Sequence, residues 1–292
     1  MKYAFFPGCA VHASAKEYGM SCKAISKVLG IELIEIPEWN CCGSIDAIYA
    51  HNPVLSISLS ARNLSLAEKM GTDVITLCSA CFFTLSRANK LMHEDPKLKG
   101  QVDNVLGNLK LNYNGEIKVR HFLDVLLNDV GLEKISENVK VPLKELRVAP
   151  YYGCLLVRPP EIANFDEPEH PTSMDKLMEV LGATNVNYLD KTRCCGASLI
   201  VTKERIALEM TKNLLLTAKN AEADCIVTAC PMCHFNLDAM QKDVESTFDV
   251  DINLPVLYIT QVIGIAFGLN VKELGLNRNC VSPMKLLSKL KI

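Results

Sequence analysis

The chain lacks an excess of charge of either sign. Its 31 Lys and Arg residues stand against 33 Asp and Glu, a formal net charge of −2 over 292 residues. Nothing in that balance is basic enough to follow a phosphate backbone, which argues against nucleic acid as a partner. A long apolar run is also missing. The best stretch, Val256–Leu269, falls short of the roughly 20 residues a bilayer span requires and carries Gln261, so no membrane span is expected. The amino terminus has too brief an apolar run for a signal peptide. No glycine-rich flavin or nicotinamide fingerprint occurs. Together these absences describe a globular, cytoplasmic chain, long enough for one large domain or two of ordinary size.

What the chain has is cysteine, thirteen in all. Without an export signal, that number points to metal binding or redox chemistry rather than to disulfides. Residues 40–44 read Asn-Cys-Cys-Gly-Ser, and residues 193–198 read Arg-Cys-Cys-Gly-Ala-Ser. Adjacent cysteines suit neither a structural zinc site, whose ligands are usually spaced, nor a disulfide, since neighbouring Cα atoms lie only about 3.8 Å apart.

The two stretches are centres of a longer repeat. "AFFPGC" (Ala4–Cys9) answers "APYYGC" (Ala149–Cys154), and Arg62–Leu85 answers Lys212–Leu237. Val119–Leu132 answers Val256–Leu269. A period of about 140 residues means duplicated domains, because solenoid units are far shorter. We place them at 1–143 and 144–292. Short β-rich runs at Tyr3–Phe6, Glu32–Ile36, Val74–Leu77 and Ile117–Val119 alternate with helical segments such as Ser14–Leu29 and Val54–Met70. The second half matches with Arg147–Tyr151, Asn185–Leu189, Cys225–Thr228 and Pro255–Leu257. Gly30 and Gly182 stand where a left-handed helix cap is wanted. The expected fold is α/β: two pseudo-symmetric repeats, each a small parallel sheet flanked by helices, with cysteine loops at the carboxyl ends of the strands. Lys90–Glu116 reads as the least regular part of the first half, and Asn128–Leu143 as the crossover.

Five cysteines recur in the same order in each half. They are Cys9, Cys41, Cys42, Cys78 and Cys81, then Cys154, Cys194, Cys195, Cys230 and Cys233. Cys22, Cys225 and Cys280 have no counterpart and read as buried small hydrophobes. Gly8 and Gly153 precede the first cysteine of each set and Gly43 and Gly196 follow the pair, which lets backbone approach a bulky group. Zinc bound by four thiolates remains a competitor, although it leaves one thiol over in each half. Iron–sulfur ligation is the alternative, and a cluster of irregular shape or with a bridging thiolate uses the surplus.

The doubled pattern Cys…Cys-Cys-Gly…Cys-x-x-Cys resembles the cysteine-rich CCG-domain family, and within it the catalytic B subunits of the heterodisulfide reductases of methanogenic archaea. The resemblance covers practically the whole chain. It implies two noncubane 4Fe-4S clusters, each held by one of the two sets of five cysteines named above. It implies reduction of a small-molecule substrate, the mixed disulfide of coenzyme M and coenzyme B, to the two thiols. No Cys-x2-Cys-x2-Cys-x3-Cys-Pro run occurs here. Electrons must therefore arrive from another subunit, which the family supplies as a ferredoxin-like C subunit linked to a flavin-bearing A subunit. Family relatives also include CCG subunits of glycolate, lactate and glycerol-3-phosphate dehydrogenases and of thiol:fumarate reductase. A non-catalytic electron-transfer subunit is a further alternative. An enzyme is expected to show a pocket between the two cysteine rims, and a relay to show rims that are buried or face partner chains.

Beyond the cysteines, His12 and His234 lie close to ligand positions, where a structural role is the better reading for each. His121 reads as a helix cap. Arg158, Arg193 and Lys191 are candidates for binding substrate anions, with Glu161 and Asp190 as alternative ion-pair partners for the arginines. The proline-rich, acidic Val157–Met174 reads as a stiff surface excursion that covers substrate or docks a partner.

Overall fold

A computed structural model describes residues 1–44 and 46–290; the last two positions of the expected second half lie outside the described residues. Two sheets of four strands share one plan. The first has the order β2-β1-β3-β4, with β1 Lys2–Phe6, β2 Glu32–Glu35, β3 Val74–Thr76 and β4 Val119–His121. The second has the order β6-β5-β7-β8, with β5 Arg147–Tyr151, β6 Thr184–Asn185, β7 Cys225–Thr228 and β8 Val256–Tyr258. Every pairing is parallel, and equivalent registers recur, as in Thr76 opposite His121 and Thr228 opposite Tyr258. Parallel neighbours require crossover connections, which the helices provide. The inner strands β3 and β7 are buried along their whole length and read as unbroken apolar or β-branched runs, as covered parallel strands do.

The helix Lys16–Leu29 buries Tyr18, Cys22, Ile25 and Leu29, spaced by three and four residues, and stops at Gly30 with φ +71°. Gly182 closes the equivalent turn with φ +88°. Both match the sequence expectation. Lys90–Glu116 does not: the helices Ser79–Glu94 and Pro96–Asn108 occupy most of it. Asp95 ends the first helix, and its carboxylate accepts the Leu98 backbone N–H to cap the second, which opens on Pro96. Gly100 and Gly107 lie in open space on that helix while Val102 and Leu106 are buried. The second sheet's edge strand is also shorter than expected. A turn closed by Tyr188 N–H to the Val186 carbonyl takes the chain off the edge after Asn185.

The halves share a core. One apolar cluster runs from Tyr3 and Phe5 in the first sheet to Val148 and Val227 in the second. The helix Lys16–Leu29 packs against Ile259–Ala266 of the other half. The rings of Tyr18, Tyr258 and His234 stack with successive centroids 4.0 Å apart. Two such contacts contribute about 1–3 kcal/mol beyond the area they bury. The excursion at 157–174 turns back on the first half, where the short helix Pro160–Ala163 packs on Ser79–Glu94 and helps to line a cavity of about 610 Å³.

Glycine geometry gives a graded test. Gly30 and Gly196 both have positive φ, but a Cβ at Gly30 meets nothing within 4 Å, whereas at Gly196 it lies 2.9 Å from the Ala207 Cα. Gly30→Ala should cost about 1–2 kcal/mol, the strain of a left-handed residue alone. Gly196→Ala should cost about 3–5 kcal/mol, because overpacking against backbone is added. Urea unfolding measures both, and equal costs would contradict the close packing at Gly196.

Candidate metal centre

All ten repeated cysteines leave the carboxyl ends of their sheets. Cys9 and Cys154 follow β1 and β5, the Cys-Cys pairs follow β2 and β6, and Cys78 and Cys230 follow β3 and β7. Cys81 and Cys233 sit in the first turns of the helices that come next. In each sheet the strand order reverses between β1 and β3, or between β5 and β7, the crevice where open parallel sheets place ligands.

The sulfurs form a chain that crosses from one half to the other. In the first half Cys41 contacts Cys42, Cys42 contacts Cys81, and Cys81 contacts Cys78. Cys78 then meets Cys230, its own counterpart in the other half. Cys230 contacts Cys233, and Cys233 lies 3.6 Å from Cys195. Cys154 and Cys194 are paired beside them, and Cys9 is near enough to Cys41 to be felt electrostatically. All thirteen cysteines are free thiols. Six of the ten are buried, Cys154 is half-buried, and Cys9, Cys41 and Cys194 are exposed.

Helices hold the Cys-Cys loops from behind. In the first half Ser60 donates to the Cys42 carbonyl at 2.6 Å, Ser56 donates to the Gly43 carbonyl at 2.9 Å, and Asn63 both accepts from and donates to Asn40. In the second half Thr211 and Asn236 donate to the Cys195 carbonyl, and the Tyr151 hydroxyl donates to that of Arg193 at 2.6 Å. Sequence reasoning missed these anchors. Their signal was present in Ser56, Ser60 and Asn63, which recur at helical spacing on one face. The glycines divide into two kinds. A Cβ at Gly8 or Gly153 would lie 3.0 or 3.1 Å from the sulfur of Cys81 or Cys233, whereas Gly43 and Gly196 face helix backbone instead.

The donor set suits a polynuclear sulfur-ligated metal. Hydrogen bonds to Cys42 and Cys78, followed by burial, push the Cys81 thiol well up; those to Cys195 and Cys230 do the same for Cys233. Left alone, such thiols are poor nucleophiles, but a bound cation deprotonates them. The glycine-relieved space beside Cys81 and Cys233 and the softness of ten thiolates both fit iron–sulfur ligation. Among the described residues no three His, Cys, Asp or Glu side chains are already arranged as ligands of a single metal ion, for zinc and for iron alike.

The cysteines outside the repeat behave in two ways. Cys22 and Cys225 are buried, and burial pushes the Cys22 thiol up to about 12, as expected for inert core residues. Cys280 corrects that expectation, because it is exposed. It lies where the C-terminal segment returns across the second half, and its backbone N–H donates to the buried Asp238 at 2.7 Å.

Other sequence candidates have settled partners. His12 is exposed, pairs with Glu35 and stacks on Trp39. His234 is buried, and its Nε2–H donates to the Val256 carbonyl at 3.0 Å. Burial holds His234 neutral, with its pKa lowered to about 3. His121 caps the helix that follows it, as expected. Arg193 pairs with Asp190 at 2.9 Å, Lys191 with Asp175, and Arg158 with Glu169 and the Thr192 carbonyl. Two cavities stand out. One is lined by Asp73, Lys118 and Arg120 at the amino ends of β3 and β4, the other by Lys23 to Leu33, and none of the ten cysteines lines either. No helix among the described residues is long and apolar enough to cross a membrane.

Comparison with known proteins agrees with this layout. A family model described as a cysteine-rich domain, CCG, matches residues 3–86 and again 148–238. The chain is 38% identical over 285 residues to the 8-methylmenaquinol:fumarate reductase membrane anchor subunit of Wolinella succinogenes, covering 98% of this chain and 99% of that one. It is 33% identical over 291 residues to the B subunit of a ferredoxin:CoB-CoM heterodisulfide reductase of Methanosarcina mazei, covering 99% and 97%. To an Archaeoglobus profundus protein described as like the B subunit of heterodisulfide reductase it is 31% identical, covering 97% and 95%. Among solved structures, a hypothetical protein from Helicobacter pylori superposes with a TM-score of 0.77 over 96% of this chain and 52% of that chain, at 18% identity. That likeness shows the fold alone.

Thiol reactivity should separate the classes of cysteine. In metal-free native chain, a small alkylating reagent should label Cys9, Cys41, Cys194 and Cys280 first and Cys22 and Cys225 last. In anaerobically isolated protein only Cys280 of the first group should stay reactive. Equal labelling of Cys9 and Cys280 in that material, read by peptide mass, would rule out Cys9 as a ligand.

Proposed function

The chain belongs to the CCG cysteine-rich-domain family, and from that premise we propose that it is an iron–sulfur redox subunit of a multisubunit complex that reduces the mixed disulfide of coenzyme M and coenzyme B. Each half, residues 1–143 and 144–292, would hold one noncubane 4Fe-4S cluster. The first set of ligands is Cys9, Cys41, Cys42, Cys78 and Cys81, and the second is Cys154, Cys194, Cys195, Cys230 and Cys233. The observation that carries this reading is the placement of all ten cysteines at the carboxyl ends of the two sheets, with Cys78 of one set beside Cys230 of the other. Sequence similarity to heterodisulfide reductase B subunits along nearly the whole chain supports the substrate.

Cleavage of a disulfide takes up two electrons and two protons and yields two thiols. Clusters at these positions would supply the electrons singly, one from each half. The chain's own part is to hold the sites and shield them. Buried Cys42, Cys78, Cys81 and their counterparts keep water from the inner sulfurs, while exposed Cys9, Cys41 and Cys194 mark the side open to substrate or partner. His12 and His234 are engaged with Glu35 and the Val256 carbonyl, so neither is assigned a proton-transfer role. Electrons would come from a ferredoxin-like C subunit and a flavin-bearing A subunit.

One observation favours a second reading: the Wolinella succinogenes relative, 38% identical, is named as the membrane anchor subunit of an 8-methylmenaquinol:fumarate reductase. On that reading the chain passes electrons between partners without meeting a disulfide.

Anaerobically prepared protein distinguishes the readings. Both expect about eight iron atoms and an equal amount of acid-labile sulfide per chain. With a reduced viologen dye as donor, the first reading expects consumption of the heterodisulfide, and its abolition when Cys41 and Cys42 are replaced by serine. Fully loaded protein that oxidises no dye upon addition of the heterodisulfide would leave only the second.

A further inference from the structure

His121 does more than cap a helix. Its Nε2 lies 3.2 Å from the carbonyl oxygen of Leu77 and 3.0 Å from that of Ala229. Those residues occupy equivalent places in the repeat, immediately before Cys78 and Cys230. The protonation of the ring follows from its partners. Nδ1 accepts the Leu123 backbone N–H at 3.2 Å, and a backbone N–H only donates. The two carbonyls only accept, so Nε2 carries the proton and shares it between them. The ring is fully buried, and burial lowers its pKa and keeps it in this neutral form. One N–H thus spans two loops that belong to opposite halves of the chain.

Capping explains Nδ1 and leaves Nε2 unaccounted for. A single atom that touches two equivalent carbonyls must lie close to the axis that relates the halves, as the contact of Cys78 with Cys230 does. Only one residue can occupy such a place. The counterpart of His121 is Tyr258, whose ring stacks between Tyr18 and His234 instead. The Tyr18 hydroxyl gives the Ala229 carbonyl a second donor at 3.1 Å.

We propose that His121 is a positioning residue that clamps the loops of Cys78 and Cys230 together and thereby sets the coupling between the two metal centres. This inference rests on the reading that both cysteine sets hold clusters. Without the shared N–H the Leu77 carbonyl loses this donor and faces the Ala229 carbonyl, which Tyr18 still holds, so the two loops shift slightly relative to each other while each set of five sulfurs stays intact.

The test compares His121→Phe with His121→Gln in anaerobically loaded protein. Phe keeps a ring against Phe82, whose centroid lies 6.0 Å away, but removes both nitrogens. Gln restores an N–H donor near the position of Nε2. Iron and sulfide per chain, the spin–spin splitting in the electron paramagnetic resonance spectrum, and the separation of the two reduction steps are read together. The expected result for H121F is full iron with loss of the spin–spin splitting and a changed separation of the two steps, both restored by H121Q. Full iron with unchanged splitting in H121F overturns the clamp. Wild-type protein without iron overturns the cluster reading instead. If H121F cannot be loaded, H121N takes its place: its amide stops near Nδ1 and cannot reach both carbonyls. Equal splitting in H121N and H121Q then overturns the proposal.

Discussion

In a duplicated chain, equivalent groups can touch only near the axis that relates the copies, and in this protein sulfur meets sulfur there. Cys78 lies beside Cys230, and that nearness depends on how the two sheets face each other. Both strands that deliver these residues, β3 and β7, are innermost and fully buried, so the loops leave a rigid base. The packing of Lys16–Leu29 on Ile259–Ala266 and the stack of Tyr18, Tyr258 and His234 hold the halves at that distance. A hinge between the halves would break the sulfur chain, and the continuous core denies one. The fold places ten soft donors where apolar helices cannot drift apart.

That dependence explains why small features around the cysteines are so constrained. Gly8 and Gly153 have φ of +67° and +70°, and a side chain at either would press on the sulfur of Cys81 or Cys233. Gly43 and Gly196 serve the other boundary, where the loop meets the helix behind it. Hydroxyl and amide side chains on those helices take up the loop carbonyls, so that backbone buried beside the thiols keeps its hydrogen bonds. The thiols themselves are the unfinished part of the arrangement. Packed against one another out of water, they cannot ionise together unless a cation enters among them.

Much of this was legible in the amino-acid sequence, because duplication writes each feature twice. The five-cysteine order, the parallel sheets and the caps at Gly30 and Gly182 all follow from local pattern. Asp95-Pro96 was a readable cap obscured by the lysines and glycines around it. Three other features were not readable, since each depends on chain segments far apart in sequence. His121 reaches Ala229, Cys280 is set by Asp238, and the proline-rich excursion returns to the first half. Periodicity assigns a residue to a face of its own element; it says nothing about which distant carbonyl lies opposite.

The repeat is faithful in its cysteines and unfaithful in what surrounds them. In the first half the Arg87 guanidinium lies 3.6 Å from the ring centre of Tyr49 and 5.1 Å from that of Phe83, roofing the helix that carries Cys81. In the second half the position of Arg87 is taken by Ala239, and Phe235, the counterpart of Phe83, is 39% exposed. Buried His234 stands beside Cys233 where Phe82 stands beside Cys81. The reduction potential of an iron–sulfur centre responds to solvent exposure, nearby charge and hydrogen bonds to sulfur. Two identical sets of five thiolates in such unequal surroundings would not titrate alike. If both cysteine sets hold clusters, symmetry in the cysteines and asymmetry in their cover would give the pair a direction, with one centre easier to reduce than the other.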